Sequence, residues 1–336
     1  RQKPMKEFYF CFTLDTEPDN LWANNPTLSF EHFERLHRFH LDLVDHGARP
    51  TYLTTSEVAE HVPAARVMEK ILETQQAEIG AHFHTWTRKW PFPVADLGNP
   101  TLHAMAHQLG QDTEERMLDY TCTALENAFG IRPRSYRGGR WSLNGQTLKS
   151  LRNCGIWIDT TVTPGLNWTD ERHPWLSGPD YEQAERHPHF FSGVKLDPRT
   201  EGDILELPLG VCFMPSRSVA LSRRLKHRVV RKLANTMGKP MGVIWLRPTL
   251  MSSKQLRICL EDLKSSEILV WVAMIHSSEI SPSFHFTDEL AIREFRERCV
   301  QLVDDAVALG GRGATISEVW QTYVKTTNDR QVNENR

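Results

Sequence analysis

The sequence contains no apolar run near the roughly 18 residues that a membrane-crossing helix needs, so a transmembrane role is excluded at this level. It contains no Cys-x-x-Cys pair: Cys11, Cys122, Cys154, Cys212, Cys259 and Cys299 are scattered. Neither a disulfide framework nor a cysteine-built zinc site is indicated, and thiols in apolar or helical surroundings read as small buried hydrophobes. Charge of one sign is also missing. A net charge of −2 leaves no global pull toward nucleic acid. No internal repeat is visible, and no linker splits the chain. No secretory signal is legible at Arg1, Met5-Lys6 reads as a native start, and a reducing cytosol is the expected compartment.

What is present is an alternation of strand and helix signals. The 336 residues are 40% hydrophobic and 24% charged, ordinary for a globular protein and within the range of one α/β barrel. Strands are predicted over Phe8–Leu14, Arg49–Leu53, Ala77–His82, Arg134–Tyr136, Trp157–Thr161, Ile204–Leu207, Gly242–Leu246 and Ile268–Ile275. Helices are predicted from an N-cap at Ser29 to His46, over Ser56–His61, Ala64–Gln75, Asp112–Phe129, Asn144–Cys154 and Asp288–Leu309, with a last element opening at Thr315. The repeated βα pattern predicts one parallel β/α domain over residues 1–325, with a polar inserted loop region at 164–203 and a flexible tail at 326–336.

Two short motifs end predicted strands. Asp15-Thr16-Glu17 follows Phe8–Leu14, and His82-Phe83-His84 follows Ala77–Ala81. Residues two apart on an extended segment point the same way, so each motif presents a pair of side chains. In parallel α/β sheets the carboxyl ends of the strands share one face. Two imidazoles and a carboxylate holding one face of a metal leave positions open for water and substrate, and the second carboxylate is then free to act as a base. Taken singly, Asp-x-Glu after a strand also serves as a helix N-cap.

Other strand ends carry polar residues. Ser135-Tyr136-Arg137-Gly138-Gly139-Arg140-Trp141 puts Arg137 where it either fixes a carboxylate such as Asp15, keeping it ionised, or lies in a surface loop with Arg140. His276-Ser277-Ser278-Glu279 follows the most apolar run, making His276 a candidate general acid or third imidazole ligand. Glu279 either caps the next turn or touches the site. Asp159 is a buried carboxylate in need of a partner, and His276 is a fitting one. The segment 217–233 spaces Leu221, Leu225, Val229 and Leu233 by four, with Arg223, Arg224, Lys226, Arg228, Arg231 and Lys232 around them. It reads as a solvated amphipathic helix or as a peripheral contact for phosphate, nucleotide or anionic lipid. His187-Pro188-His189 reads as loop or pocket lining, and His32, His37 and His40 as facing solvent or neighbours on the first helix.

Thr13–Glu17, Gly80–Trp86, Ser135–Arg140, Asp159–Gly165 and His276–Glu279, in this order, resemble the motifs of the NodB-homology polysaccharide deacetylases, carbohydrate esterase family 4. The nearer resemblance is to the WalW-like proteins of bacterial surface-polysaccharide gene clusters. The resemblance implies an α/β fold, a single deformed (β/α)7 barrel, with a divalent metal, Zn²⁺ foremost. It also implies Glu17, His82 and His84 as ligands, Asp15 as base, Arg137 as its tether, and His276 as acid oriented by Asp159. The sequence departs from the common pattern in having Asp-x-Glu, and in placing the second histidine two rather than four positions after the first.

The expected activity is metal-assisted removal of an N-acyl group, N-acetyl foremost, from an amino sugar in O-antigen or capsule biosynthesis. Its substrate would be nucleotide-linked, lipid-linked or oligosaccharidic. A metal-bound water would lose its proton to Asp15, the oxyanion would be held by metal and a backbone N–H near Arg137, and His276 would protonate the amine. Trp86, Arg140, Trp141 and Glu279 are the expected substrate contacts, with Trp90, Trp168 and Trp175 as further candidates for stacking on sugar rings. Two rivals remain: a metal-dependent amidohydrolase acting on a small non-sugar amide, and an inactive barrel that binds a sugar or scaffolds a biosynthetic complex.

Overall fold

The computed structural model describes residues 7–21, 27–85, 90–92, 105–173, 177–191, 204–213 and 242–323. Strand β1 (Phe8–Thr16) is buried on both faces, as an uninterrupted aromatic and aliphatic run requires. It pairs in parallel with β10 (Val270–His276) on one side and β2 (Thr51–Thr54) on the other. The sheet continues in parallel through β3 (Glu78–Phe83), β4 (Ser135–Gly138), β5 (Ile158–Asp159) and β7 (Ile204–Glu206). Its order is β10-β1-β2-β3-β4-β5-β7, followed by antiparallel β6 (His189–Phe191). The short β11 (Gly311–Gly313) pairs with the first residues of β1.

The seven parallel strands curl toward closure. The chain leaving β7 donates Leu207 N–H to Asp159 O and Leu209 N–H to Val162 O. Gly210 N–H then donates to Val272 O on β10, which ties the two ends of the sheet together. A small antiparallel ribbon, β8 (Val211–Phe213) with β9 (Val243–Trp245), extends this seam. The architecture is thus the expected deformed (β/α)7 barrel.

Helices α1 (Phe33–Asp45), α2 (Ser56–Glu60), α3 (Val62–Glu73), α4 (Gln111–Phe129) and α5 (Gly145–Asn153) cross between successive strands. Helix α6 (Ser253–Ser265) precedes β10, and α7 (Glu289–Ala308) and a helix over 316–323 follow it. Helix α4 stops where Gly130 adopts φ 69°, a left-handed cap that glycine adopts without strain.

The structure departs from the sequence reading in several places. Ser29 is not the N-cap of α1: its hydroxyl donates to Asp19, and the helix begins at Phe33 behind His32. Helix α6 was not anticipated, although Ser252 and Gln255 form a capping box at its start. The predicted strand at 157–161 is shorter, because Thr160 and Thr161 leave the ladder and turn their hydroxyls to other work. The inserted region is more than loop, since it contributes β6 and an Asn167–Asp180 bridge. The basic segment 217–233 and the tail 326–336 lie outside the described residues. Among the described residues, no helix is long and apolar enough to cross a membrane.

Candidate metal centre and active site

The carboxyl ends of β1, β3, β4 and β10 bring the predicted residues together. Glu17 leaves β1, while His82 and His84 end β3, two strands away. Glu17 Oε2 lies 3.0 Å from His84 Nε2 and 3.6 Å from His82 Nε2, and the two Nε2 atoms are 3.1 Å apart. In the plane of these three atoms the equidistant point falls about 1.9 Å from each, and a small displacement from that plane gives the 2.0–2.1 Å of a zinc–imidazole bond. All three residues are buried, and they form the metal-capable His/Cys/Asp/Glu group among the described residues.

The surroundings prepare these donors. His82 Nδ1 sits 2.7 Å from Arg137 O. Donating its proton there leaves Nε2 with its lone pair toward the centre, the usual tautomer of a histidine ligand. The His84 ring lies against Gly139, where an added Cβ would come within 2.6 Å of Nδ1 and 2.5 Å of Phe83 O. Burial opposes the charge on Glu17, yet contacts with His82 and His84 hold its carboxyl well below the usual range. Burial likewise opposes charging of His82, but Asp15 and Glu17 outweigh it and raise its pKa. His84 goes the other way, lowered by burial and by the neighbouring histidines. Two imidazole nitrogens packed at this distance against one carboxylate are a donor set suited to a divalent cation.

Asp15, two residues before Glu17, lies opposite His276 in the β1–β10 register. Arg137, fully buried on β4, donates Nη1–H to Asp15 Oδ1 at 2.7 Å, Nη2–H to Thr13 Oγ1 at 2.9 Å and Nε–H to Thr160 O at 2.9 Å. Burial alone would raise the Asp15 pKa; Arg137, with His82 and His276, brings it below the ordinary value. Oδ1 is thereby occupied, and Oδ2 is the oxygen left for a proton.

His276 is placed by a carboxylate other than the one expected. Its Nδ1 lies 3.5 Å from Glu279 Oε1 and 3.2 Å from Arg247 Nη2, and its Nε2 lies 3.8 Å from Glu17 Oε1. Glu279 Oε2 accepts from Thr249 Oγ1 at 2.6 Å and from the His276 N–H at 3.0 Å. Burial lowers the His276 pKa, but Glu279 and Glu17 outweigh it and the net shift is upward. Asp159 does not reach His276. It accepts from Thr161 Oγ1 at 2.6 Å and Thr161 N–H at 3.2 Å, and it faces Glu206, whose pKa burial and Asp159 push well above the usual range. Thr161 Oγ1 in turn accepts from Gly138 N–H at 2.8 Å, so Asp159 braces the backbone beside His84's cradle.

The expected substrate contacts divide. Glu279 is buried, with its oxygens turned to His276, Thr249 and Arg247. Arg140 and Trp141 both have positive φ, 55° and 61°, a strained turn over the site. Trp141 stacks on Trp168 at 5.9 Å between centroids and lies 6.0 Å from Trp245, beside Arg137 at 5.7 Å. Trp90 is a core residue: it is buried, packs on Phe83 and donates Nε1–H to Thr85 O. Trp86 and Trp175 lie outside the described residues. His40 is buried between the Tyr52 hydroxyl and Thr74 Oγ1, each 3.0 Å away. His187 lines a cavity of 420 Å³ with Arg186, Phe213 and Ile268.

Arg247 and Thr249 were not anticipated. Both follow the predicted strand 242–246, so the strand-end rule that singled out the other motifs applies to them as well.

No family model and no curated protein matches the sequence. Solved structures do. A candidate polysaccharide deacetylase from Mycobacterium smegmatis superposes with a TM-score of 0.52 at 16% identity, covering 98% of this chain and 94% of its own. A family 4 carbohydrate esterase from Streptomyces lividans, in complex with acetate, matches at TM-score 0.44 and 11% identity, covering 92% of each chain. A family 4 carbohydrate esterase pseudoenzyme from Bacillus anthracis matches at 0.44 and 10%, covering 94% of this chain and 66% of its own. The likeness to the mycobacterial protein, at that identity, establishes that this chain has the curled α/β barrel of a polysaccharide-deacetylase fold.

Proposed function

We propose that this protein is a metal-dependent hydrolase that removes an N-acyl group, N-acetyl foremost, from an amino sugar. One observation carries the reading: Glu17, His82 and His84 converge to metal-binding distances beside an Asp15 carboxylate that Arg137 keeps ionised. The fold shared with the mycobacterial candidate deacetylase supports it. Assignment to O-antigen or capsule synthesis rests on the motif resemblance.

When bound by Glu17, His82 and His84, a divalent ion, Zn²⁺ foremost, supplies Lewis acidity to an amide carbonyl and acidifies water. The rest falls to the chain. Asp15 takes a proton on Oδ2 while Arg137 holds Oδ1. His276 stands on the other side of the centre with Nδ1 against Glu279 and Arg247, and its Nε2–H is the proton donor to the departing amine. Glu279 fixes the ring from the Nδ1 side. Trp168, half-buried and stacked on the buried Trp141, is the aromatic face suited to a sugar ring.

The test is acetate release from N-acetylglucosamine oligosaccharides by the Zn²⁺-loaded protein, compared with cyclic ureides and simple amides. Asp15→Asn is expected to keep Zn²⁺ and lose at least about a hundredfold in kcat. Activity that survives the substitution removes Asp15 as base. Turnover confined to ureides or simple amides moves the reading to an amidohydrolase. Zn²⁺ binding without turnover on any of them moves it to a sugar-binding barrel.

A further inference from the structure

The ladder between β1 and β10 ends at Asp15 opposite His276. Glu17, the carboxylate of the metal centre, lies two residues past that end, and Ser277 one residue past it. Beyond the ladder the two segments are joined through side chains. Asp19 follows Glu17 by two residues and receives Ser29 Oγ–H at 2.9 Å and Glu31 N–H at 2.5 Å. Its Oδ1 faces Nδ1 of His32, the fully buried residue that heads α1. On the other side of the same ring, Nε2 lies 2.9 Å from Ser277 Oγ. With Nδ1–H donated to Asp19, Nε2 accepts and Ser277 O–H donates, so one neutral tautomer satisfies both contacts.

The order serine–histidine–aspartate is that of a hydrolytic triad, but Ser277 is 0% exposed and no carbonyl can reach it. We propose instead that Asp19, His32 and Ser277 form a positioning relay. It clamps the Glu17 segment to the His276 turn and preorganises Glu17 as a metal ligand. Ser277 is the neighbour of His276, and Glu279, in the same turn, holds the His276 ring, so the clamp also sets the 3.8 Å between Glu17 Oε1 and His276 Nε2. Outer partners of metal ligands act in this way, by removing the reorganisation that a loosely held ligand would need. The inference rests on the metal centre proposed above.

Zn²⁺ affinity, measured by competition with a chromogenic chelator, tests it on the full chain. Ser277→Ala removes one hydroxyl; His32→Gln removes the ring. Each is expected to weaken Zn²⁺ binding about tenfold, and the double variant to be no weaker than His32→Gln. In the Co²⁺-loaded protein the visible bands, which report ligand geometry, are expected to shift in both. Circular dichroism checks folding, and if His32→Gln does not fold, Ser277→Ala decides alone. Affinities within twofold of wild type, or losses that multiply in the double variant, overturn the relay. A wild type that takes up no Zn²⁺ overturns the metal centre and the relay together. Relay-dependent Zn²⁺ binding with no acetate released leaves the relay standing and overturns the deacetylase reading alone.

Discussion

Gly139 has no side chain because the His84 ring occupies the space. A Cβ there would lie 2.5 Å from the Phe83 backbone oxygen and 2.6 Å from His84 Nδ1, so both the 83–84 backbone and the ring must shift. Gly139→Ala is expected to displace the end of β3 together with the His84 ring and to weaken Zn²⁺ binding at least about tenfold. Isothermal titration reads this, and unchanged affinity would mean that His84 is not a ligand. Glu279 gives a second prediction. Burial raises its pKa, but His276, Arg247 and Thr249 overcome this and hold it at about 2, against an ordinary 4.5. A lowered carboxylate stabilises the fold fully above its unfolded pKa and loses that contribution as pH falls toward the folded value. The difference corresponds to about 3 kcal/mol, lost between about pH 4.5 and 2. Urea midpoints of wild type and Glu279→Gln should therefore converge as pH falls from 7 to 3; a constant gap would refute the assignment. At this scale the sequence revealed which residues meet but not always which partner each takes. Asp15, Glu17, His82, His84, Arg137 and His276 were legible because each ends a strand. That Asp159 turns to Thr161 and Glu206, and that Glu279 serves His276, depends on side-chain directions that strand ends alone do not specify.

Among the elements, legibility followed length and periodicity. The apolar runs of β1 and β10 and the amphipathic stretches of α4 and α7 were bounded to within about two residues, the usual scatter of helix and strand ends. Of the five three-residue strands, β7 and β9 lie in apolar runs and were legible, while β6, β8 and β11 show no period and tertiary pairing creates them. Capping chemistry worked where one side chain had one task. Asn144 Oδ1 accepts Gln146 N–H and Thr147 N–H, both at 2.9 Å, at the start of α5. Ser29 failed as a cap because Asp19 claims its hydroxyl, which moves the start of α1 to Phe33. Asn144→Ala is expected to cost about 1 kcal/mol, read as a lower urea midpoint with an unchanged slope. It is also expected to leave Zn²⁺ affinity untouched, since α5 carries no ligand. A change in affinity would show that the cap reaches the site through the 138–141 turn.

At the scale of the whole molecule, an ion held by Glu17, His82 and His84 would act as a cross-strut. Its carboxylate comes from β1 and its imidazoles from β3, with β2 between them, while His276 approaches from β10 on the far side of β1. The sheet closes through the 207–210 segment, so these strands cannot separate one at a time without opening the barrel. An ion that binds only the folded barrel stabilises it by mass action, about 2.7 kcal/mol at a hundredfold excess over Kd. For a chain of 336 residues, with an unfolding entropy of about 2.1 cal/mol/K per residue, that corresponds to a rise of roughly 4 °C in thermal midpoint. Midpoint against Zn²⁺ concentration should climb logarithmically once the site is filled, and Mg²⁺, which prefers an oxygen shell, should do far less. Glu17→Gln should flatten the curve, because the neutral amide gives up the charge that balances the ion. Asp15→Asn should keep the rise, because Asp15 is not a ligand in this arrangement. A rise of equal size in Glu17→Gln would place the stabilising ion elsewhere on the molecule. No rise in wild type would show that the three donors do not hold Zn²⁺, and the barrel's chemistry would then have to be sought without it.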